Sequence, residues 1–379
     1  MTAEFLSAFE ELKALKGSVG RLLVERFSRV GPEDVALFRE RFPLLDDEHR
    51  VALIASMAES AEVDYELDYM ALLRIALGDP LPAVRRMAIE GLWEDERLDL
   101  LRRLIVLLET DPSDEVRAAA ATSLGRFVYL AECDDLDTGR GEQVRSALEQ
   151  AVAGQSLHVA RRALESLAFI NDETITRMID EAYASDHPLM RQSALFAMGR
   201  SADRFWAETV LAELHSDDPA MRFEAARASG EMHLTRALSL LARLISGDPD
   251  AEVQMMAIWA MGEIGGKRAR QLLERLAEGE DEAQSAAAEE ALERMNLASP
   301  EFDMFVFEPE DGASASHGRH AHAEDLIADE EDADEEAGEL EDDTLPDYRR
   351  QFELYTDEDD DSDDDEEEDE WPDEFFELT

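Results

Sequence analysis

The apolar residues of this chain recur in a fixed helical pattern along most of its length. Seven alanines mark the pattern, at intervals of 32, 43, 31, 31, 32 and 31 residues: Ala88, Ala120, Ala163, Ala194, Ala225, Ala257 and Ala288. Most copies have an apolar residue four positions before the alanine and a large apolar residue four positions after it, with a very small residue between. This spacing places one apolar stripe on an α-helix. A fixed period of this length predicts stacked supersecondary units.

Turn signals predict a second helix in each copy. Asp-Pro pairs precede the alanine helix in four copies, and Asp favours the cap and Pro the first turn of a helix; the pairs begin at Asp79, Asp111, Asp218 and Asp248. Leucine-rich segments lie before these turns, and a glycine, as expected at a helix C-terminus, follows the pattern at Gly125, Gly199, Gly230 and Gly262. We therefore predict an all-α solenoid of about eight helix pairs.

The string Asp-Pro-x-x-x-Val-Arg-x-x-Ala-x-x-x-Leu, which begins at Asp79, resembles the HEAT repeat, an armadillo-type fold. The short period is similar to that of the HEAT-like repeats of phycobilisome (bilin) lyase subunits. In HEAT families a turn aspartate and a helix arginine form a hydrogen-bonded ladder between neighbouring repeats. The resemblance implies ladder roles for Asp79 with Arg85, Asp111 with Arg117, Asp186 with Arg191 and Asp217 with Arg222. The last two pairs are one residue closer, so those turns are expected to differ, and Gln254 opposite Asp248 should weaken the ladder.

The same pattern divides the chain into four parts. Residues 1–48 are helical but off-consensus and are predicted to cap the stack, with Phe5, Phe9, Leu12 and Leu15 on one face. Residues 49–298 are the repeats, beginning with a degenerate copy that carries Arg50 in register. Residues 299–309 form an apolar segment, Phe302 to Phe307, expected to cover the last repeat; a partner-docking strand is the alternative. Residues 310–379 form an acidic tail.

The tail carries most of the negative charge of the chain. Residues 301–379 carry 36 acidic and 3 basic side chains, a net charge of −33 within a chain total of −56. Such a segment is predicted to be disordered, because it buries too little apolar surface to offset chain entropy. Two aromatic islands interrupt it: Leu345, Tyr348, Phe352 and Tyr355, then Trp371, Phe375, Phe376 and Leu378. We expect them to bind a partner or fold back on the solenoid; an acidic bristle with incidental aromatics is the alternative.

Charge and composition narrow the function classes. The acidic balance argues against nucleic acid as a ligand, because phosphate binding needs clustered Lys and Arg. The single cysteine, Cys133, excludes disulfides within the chain. No apolar run reaches membrane-spanning length and no secretory leader is evident at the N-terminus, so we expect no membrane contact and a soluble, cytoplasmic protein.

Catalytic patterns are weak in this sequence. HEAT-type hydroxylases carry repeated His-Glu pairs for a di-iron centre, whereas no histidine here precedes a glutamate. Glycine-rich phosphate loops, nucleophile elbows and paired-cysteine zinc spacings are not found. His317, His320 and His322 could bind a divalent metal weakly, but such linkers are usually only linkers. We predict no catalytic residue, no cofactor and no metal; a lyase-like or chaperone-like protein acting on a prosthetic group is the alternative that the resemblance implies.

The second helix of each HEAT-like repeat lines the concave face, which is the candidate binding surface. Residues one and five positions after the ladder arginine should point away from the core. At these positions, the residues whose types commonly anchor protein interfaces are Arg86, Arg161, Phe196, Phe223, Arg227, Met255 and Trp259. The alternative is that some of them pack between repeats. The prediction is a non-enzymatic scaffold or adaptor that binds a protein; an acidic tail that mimics nucleic acid, or that inhibits binding in cis, is a further alternative.

Overall fold

The computed structural model describes residues 2–15, 19–154 and 156–297. These residues form α-helices joined by short connections, four of which contain a 3₁₀ turn, and this described part has no β-strand. The helices are α1 Thr2–Ala14, α2 Arg21–Val24, α3 Pro32–Arg41, α4 Asp47–Val63, α5 Met70–Ala76, α6 Pro82–Glu90, α7 Leu98–Thr110, α8 Asp114–Glu132, α9 Thr138–Val152, α10 Leu157–Leu167, α11 Glu173–Tyr183, α12 Pro188–Arg200, α13 Ala207–Glu213, α14 Pro219–Glu231, α15 Leu238–Gly247, α16 Ala251–Ile264, α17 Gly266–Ala277 and α18 Glu282–Leu297.

The helices alternate between two layers. Each even-numbered helix from α4 to α18 packs on the next even-numbered one, and we call these helices the inner layer. From α5 to α17, each odd-numbered helix packs on the inner helix that comes next in the chain, and these form the outer layer. Within α5–α17, only α7 and α9 of the outer layer pack closely on one another. Because the inner helices approach each other more closely, the inner layer lies on the inside of the bend. The predicted all-α solenoid is confirmed.

The recurring alanines form the centre line of the core. All seven are fully buried at 0% exposure, and the large apolar residues after them, such as Leu124 and Met198, are buried with them. Where two helices approach this closely, a methyl group is the largest side chain that fits. Because the same close contact occurs in each repeat, alanine recurs at the same position. The one pattern along the sequence therefore places most of the core.

Two glycines predicted at helix C-termini also have a packing role. A Cβ atom at Gly199 would lie 2.7 Å from the Ala228 side chain, and one at Gly230 would lie 2.8 Å from the Trp259 ring. Both glycines are the second-last residues of their helices, α12 and α14, in agreement with the prediction. They also permit the close packing of inner-layer helices. Gly125, in contrast, lies in the interior of α8, so the prediction that it ends its helix is wrong.

The N-terminal end of the stack is closed by aromatic side chains. Phe5, Phe9, Phe27, Phe38 and Phe42 are each at most 2% exposed, and neighbouring rings in this set lie 4.7 to 5.8 Å apart between centroids. Edge-to-face and stacked pairs at these distances add to the burial of their area. This group packs together residues from α1, α3 and the turns near them, at the end where the sequence predicts a cap.

The interval of 43 residues has a helical explanation. Helix α8 runs on to Glu132, and α9 begins at Thr138. Most of the extra length therefore lies in longer helices, and only Cys133 to Asp137 connects them. Among the helices described, none is long and apolar enough to cross a membrane.

Candidate protein-binding surface

Buried arginines join successive turns of the array. The Arg85 guanidinium donates to both carboxylate oxygens of Asp111, at 2.7 Å each, and Asp111 lies in the next turn along the stack. A third donor, Nη1, bonds the backbone carbonyl of Asp79 at 2.8 Å. The pairing implied by the resemblance therefore needs correction: Arg85 uses the carboxylate of the next turn and only the carbonyl of its own. The carboxylate of Asp79 accepts from Arg50, at 2.6 and 2.7 Å.

The same geometry returns near the other end of the array. Arg222 binds both oxygens of Asp248, at 2.7 and 2.8 Å, and its Nη1 bonds the carbonyls of Ser216 and Asp217. The position that holds Asp79 in the earlier turn therefore holds Ser216 here. As expected from the shorter spacing, this turn differs, and the predicted carboxylate pairing of Asp217 with Arg222 is replaced by the bond to Asp248.

The ladder is interrupted in between. Arg117 bonds the carbonyl of Asp111 at 2.8 Å and the carboxylate of Asp114, in its own helix. Arg191 bonds the carbonyls of Ser185 and Asp186, and the position that would offer it a carboxylate in the next turn is Ser216. Each bonds a carbonyl of its own turn, and neither bonds a carboxylate of the next turn among the residues that the structure describes.

The final rung is changed by the replacement of arginine with Gln254. Its amide Nε2 donates to the carbonyl of Asp248 at 2.6 Å, as an arginine would. The Gln254 carbonyl oxygen accepts from Gln284 of the next repeat at 2.9 Å. Charge is thus lost at this rung, while a neutral hydrogen bond still connects the two repeats.

Hydrogen bonds from these arginines lower the pKa of the ladder aspartates. Bonds from Arg222 lower the pKa of Asp248, against an opposing effect of burial. Burial alone would raise the pKa of Asp111, but bonds from Arg85 and from the Ser113 N–H bring it below the ordinary value. Both carboxylates therefore remain ionised in the folded protein, which keeps the ion pairs intact at neutral pH.

The inner layer contains a second group of charges, buried between α12 and α14. The Arg227 guanidinium lies 3.8 Å above the centroid of the Phe196 ring, and its Nη2 donates to the Phe196 carbonyl at 3.0 Å. Within its own helix Arg227 binds Glu224 at 2.8 Å and also Glu231. Arg200 lies 4.4 Å from the same ring centroid. We call these five residues the inner-layer cluster.

The cluster corrects part of the predicted binding surface. Phe196 is 7% exposed and Arg227 is 4% exposed, so neither presents its side chain to a partner. They pack between repeats, which is the alternative that the sequence left open. Buried carboxylates at Glu224 and Glu231 pair with Arg227 three and four residues away, a spacing that brings side chains together on one helix face.

The other predicted surface residues remain partly exposed. Arg86 pairs with Glu90 at 2.7 Å, and Arg161 donates to Ser193 of the next inner helix at 2.8 Å. Phe223, Met255 and Trp259 are half-buried. We call these last three residues the apolar ridge; they lie on α14 and α16, which are adjacent inner-layer helices.

The apolar ridge runs in one line across α14 and α16, and one close contact holds Trp259 in position. Ring atoms of Trp259 lie against Gly230 of α14, where a Cβ atom would come within 2.8 Å of them. Met255 lies one helical turn before Trp259, so the two share a face of α16. Phe223 has the same place relative to the recurring alanine in α14 that Met255 has in α16. The three side chains therefore follow one line across neighbouring helices.

Away from the inner layer the structure contains an open groove of about 550 Å³. Asp172, Glu173, Asp180 and Asp203 line it with Arg177 and the exposed ring of Phe205. Two of these acidic residues already cap helical segments: Asp172 accepts from the Ile175 N–H and Asp203 from the Phe205 N–H. Within the described ranges, no group of three or more His, Cys, Asp or Glu side chains is placed to hold a metal ion.

The predicted tail contacts lie outside the described residues. These are Leu345, Tyr348, Phe352 and Tyr355 of the first island, and Trp371, Phe375, Phe376 and Leu378 of the second. The apolar segment 299–309 and the histidines from His317 to His322 lie there as well.

Comparison with known proteins finds a family match in two separate stretches of the chain. The family model for HEAT repeats matches residues 69–153 and 207–293. The chain therefore contains HEAT repeats in these two stretches. The matched stretches contain the two bidentate pairs centred on Arg85 and Arg222, and the Asp79 partner of Arg50. The HEAT model leaves residues 154–206 unmatched, where Ala160 replaces the ladder arginine, and Ser216 stands at the turn position that would offer Arg191 a carboxylate.

Solved structures resemble this HEAT-repeat chain only distantly. Escherichia coli YibA is 17% identical, over 74% of this chain and 99% of that one, with a TM-score of 0.41. Human deoxyhypusine hydroxylase, solved with glycerol, is 16% identical over 70% and 96%, with a TM-score of 0.31. Kap95p, solved with RanGDP, is 13% identical over 78% and 46%, with a TM-score of 0.41. These similarities carry no argument about function, and no curated protein matches the chain.

Some structural residues were not identified by the sequence pattern. Arg74 of α5 binds Asp95 and Asp99 and so joins two outer-layer segments. Arg200 was also missed: it lies near the ring of Phe196 in its own helix and near the ring of Phe169 in the turn after α10. A signal was present for Arg50, which lies in the register of the ladder arginines. Its carboxylate partner could have been found by assigning each aspartate to the preceding arginine.

Proposed function

We propose that this HEAT-repeat protein is a non-enzymatic scaffold or adaptor that binds a protein segment along its inner layer. The apolar ridge carries the proposal: Phe223, Met255 and Trp259 stay half-exposed on neighbouring helices. Aromatic and methionine side chains in a fixed row are the residue types that anchor protein interfaces. HEAT solenoids commonly serve as protein-interaction scaffolds, which agrees with this use of the surface.

Rigidity of the surroundings supports the same proposal. The inner-layer cluster buries Arg227 between Phe196 and two carboxylates immediately beside the ridge. A partner that meets a pre-organised surface loses less conformational freedom on binding than one that must order it. The buried charges therefore support recognition indirectly, by fixing the helices α12 and α14, and are not themselves contacts.

The experiment that tests the ridge is affinity capture with the full chain. Phe223→Ala and Met255→Ala together should abolish recovery of a partner that the wild-type chain retains in high salt. Phe205→Ala is the matched control, because it removes an aromatic ring that is 68% exposed but lies outside the inner layer. Circular dichroism should show that all variants keep their helical content. Equal recovery by ridge variant and control would refute the proposed site.

Shortened chains separate the ridge from the tail. Chains ending at Pro309 and at Asp343 should still recover the partner if the ridge is the site. Recovery only when Leu345 to Leu378 is present would instead make the tail the recruiting element. A binding strength that falls steeply with salt would favour the acidic mimic, since screening weakens charge attraction more than aromatic packing.

A further inference from the structure

The last inner-layer helix exposes apolar side chains that earlier repeats bury. In five earlier copies the large apolar residue four positions after the recurring alanine is at most 1% exposed: Leu92, Leu124, Leu167, Met198 and Met261. The equivalent residue of α18, Leu292, is half-buried, and so is Met295 one turn later. Helix α16 has a further inner-layer helix beside it, whereas α18 has none within the described residues. Leu292 and Met295 form what we call the end face.

The opposite end of the stack is closed. Five phenylalanines from 5 to 42 bury one another there at 2% exposure or less. Repeat arrays need such caps, because an interior repeat surface left open to water promotes association. The end face therefore requires a cover that supplies apolar side chains in place of the next repeat.

We propose that the chain's own segment Phe302–Phe307 covers the end face. This segment contains Phe302, Met304, Phe305, Val306 and Phe307 and begins five residues after the end of α18 at Leu297. Five residues reach at most about 17 Å. That distance exceeds the diameter of one helix, about 10 to 12 Å, so the chain can turn back onto α17 and α18.

Tethering and charge favour this segment over a second copy of the protein. A segment linked through so few residues acts at an effective concentration of about millimolar. A second copy would have to bring together two arrays that each carry −23, the chain total of −56 less the −33 of residues 301–379. Repulsion between like charges opposes that contact. The inference is independent of whether the apolar ridge binds a partner.

Disulfide trapping in the full chain tests the proposal. In a Cys133→Ser background, Met295→Cys with Phe305→Cys should form an intramolecular disulfide under mild oxidation, seen as monomer with a mass loss of two hydrogens. The matched control, Leu22→Cys with Phe305→Cys, places one thiol at a residue that is 81% exposed near the opposite end; it should remain reduced. Disulfide-linked dimers from the first pair would show that a second copy covers the face. Trapping no faster than in the control would overturn the proposal equally.

Hydrogen exchange provides a readout that does not depend on added thiols. Replacing Phe302, Phe305 and Phe307 together by Ser should raise the exchange rate of α17 and α18 amides about tenfold, because local opening becomes easier without the cover. Replacing Phe352, Phe375 and Phe376 by Ser makes the same chemical change in the acidic tail and should leave those amides unchanged. Unchanged exchange in both variants contradicts the proposal.

Discussion

Two groups of buried arginines join the repeats, and their partners lie in different places. At the turns, Arg85 and Arg222 each bind an aspartate 26 residues later, in the next repeat. In the inner layer, Arg227 binds carboxylates three and four residues away and the Phe196 ring of the preceding repeat. The ladder thus depends on a spacing that recurs, whereas the cluster depends on one local arrangement.

The two groups of arginines connect different parts of neighbouring repeats. The ladder connects turn to turn wherever arginine and aspartate both occur, and it is interrupted at Arg117 and Arg191. The cluster lies where the array has lost those ladder bonds, in α12 and α14. Buried charge in the inner layer therefore takes over the connection between repeats in the middle of the stack.

The Arg227→Ala variant is expected to have the largest effect on the free energy of unfolding. It leaves Glu224 and Glu231 buried without their cation, and breaking a buried pair in this way costs about 3–5 kcal/mol. Urea unfolding followed by circular dichroism should show this loss. The matched control Arg236→Ala removes an arginine that pairs with Glu208 on the surface, and no measurable change is expected. A loss of less than about 1 kcal/mol at Arg227 would mean that the cluster is not a principal connection.

The ladder can be tested with two arginines in equivalent positions. Arg222→Ala removes a bidentate bond to Asp248 together with two carbonyl bonds and should cost about 2–3 kcal/mol. Arg191→Ala removes only carbonyl bonds and should cost about 1 kcal/mol. The same unfolding measurement compares them directly. Equal losses would show that the bond to the next turn adds nothing to stability.

Glycine substitutions test how closely the inner layer is packed. Gly199→Ala places a methyl group 2.7 Å from Ala228, so overpacking should destabilise the protein by about 1–3 kcal/mol. Gly247→Ala, at the end of α15, meets nothing within 4 Å and should be neutral or stabilise by about 0.4–1 kcal/mol. Thermal unfolding of the two variants should move in opposite directions. A tolerated Gly199→Ala would indicate that α12 and α14 can separate.

The smallest effect expected is a pH dependence at the N-terminal cap. His49 Nδ1 lies 2.6 Å from Asp46 and Nε2 lies 3.0 Å from the Leu15 carbonyl, so only the protonated ring can donate to both. The Leu15 carbonyl and Asp46 raise the pKa of His49, and nearby Glu48 acts in the same direction. A raised pKa gives stabilisation that is fully present below the ordinary value, about 6.5, and is lost as pH rises through the folded value.

Comparison with His49→Gln isolates this contribution. The wild-type advantage in unfolding midpoint should be larger at pH 6 than at pH 9. The ladder aspartates have the opposite sign: their lowered pKa gives stabilisation that is present above the ordinary value and lost as pH falls through the folded value. A His49 advantage that grows with pH would contradict the assigned hydrogen bonds.

Much of the fold could be predicted from the spacing of residues along the chain. The recurring alanines located the inner helices, because a residue at every closest approach between helices must be small wherever the packing repeats. The same periodicity predicted the helix pairs. Helix lengths were less predictable, since the extra residues of the 43-residue interval lie mostly in α8 and α9.

The candidate site was only partly predictable. Phe223, Met255 and Trp259, which spacing places on the outward face of their helices, are half-buried. Phe196 and Arg227 occupy the same helical face by spacing, yet they are buried. The position of a residue on a helical wheel indicates only where its side chain points. The neighbouring helix determines how much of that side chain is exposed to water.

The sequence by itself determined the repeat, the helical layers and the arginines that could form a ladder, because these depend on local spacing repeated along the chain. Tertiary structure alone decided which aspartate each arginine binds and which surface residues are covered. Arg85 binds Asp111 across 26 residues, and Arg227 lies against Phe196 across 31. Such pairs depend on the distance between neighbouring repeats, which is set by the packing of whole helices and not by any single local segment.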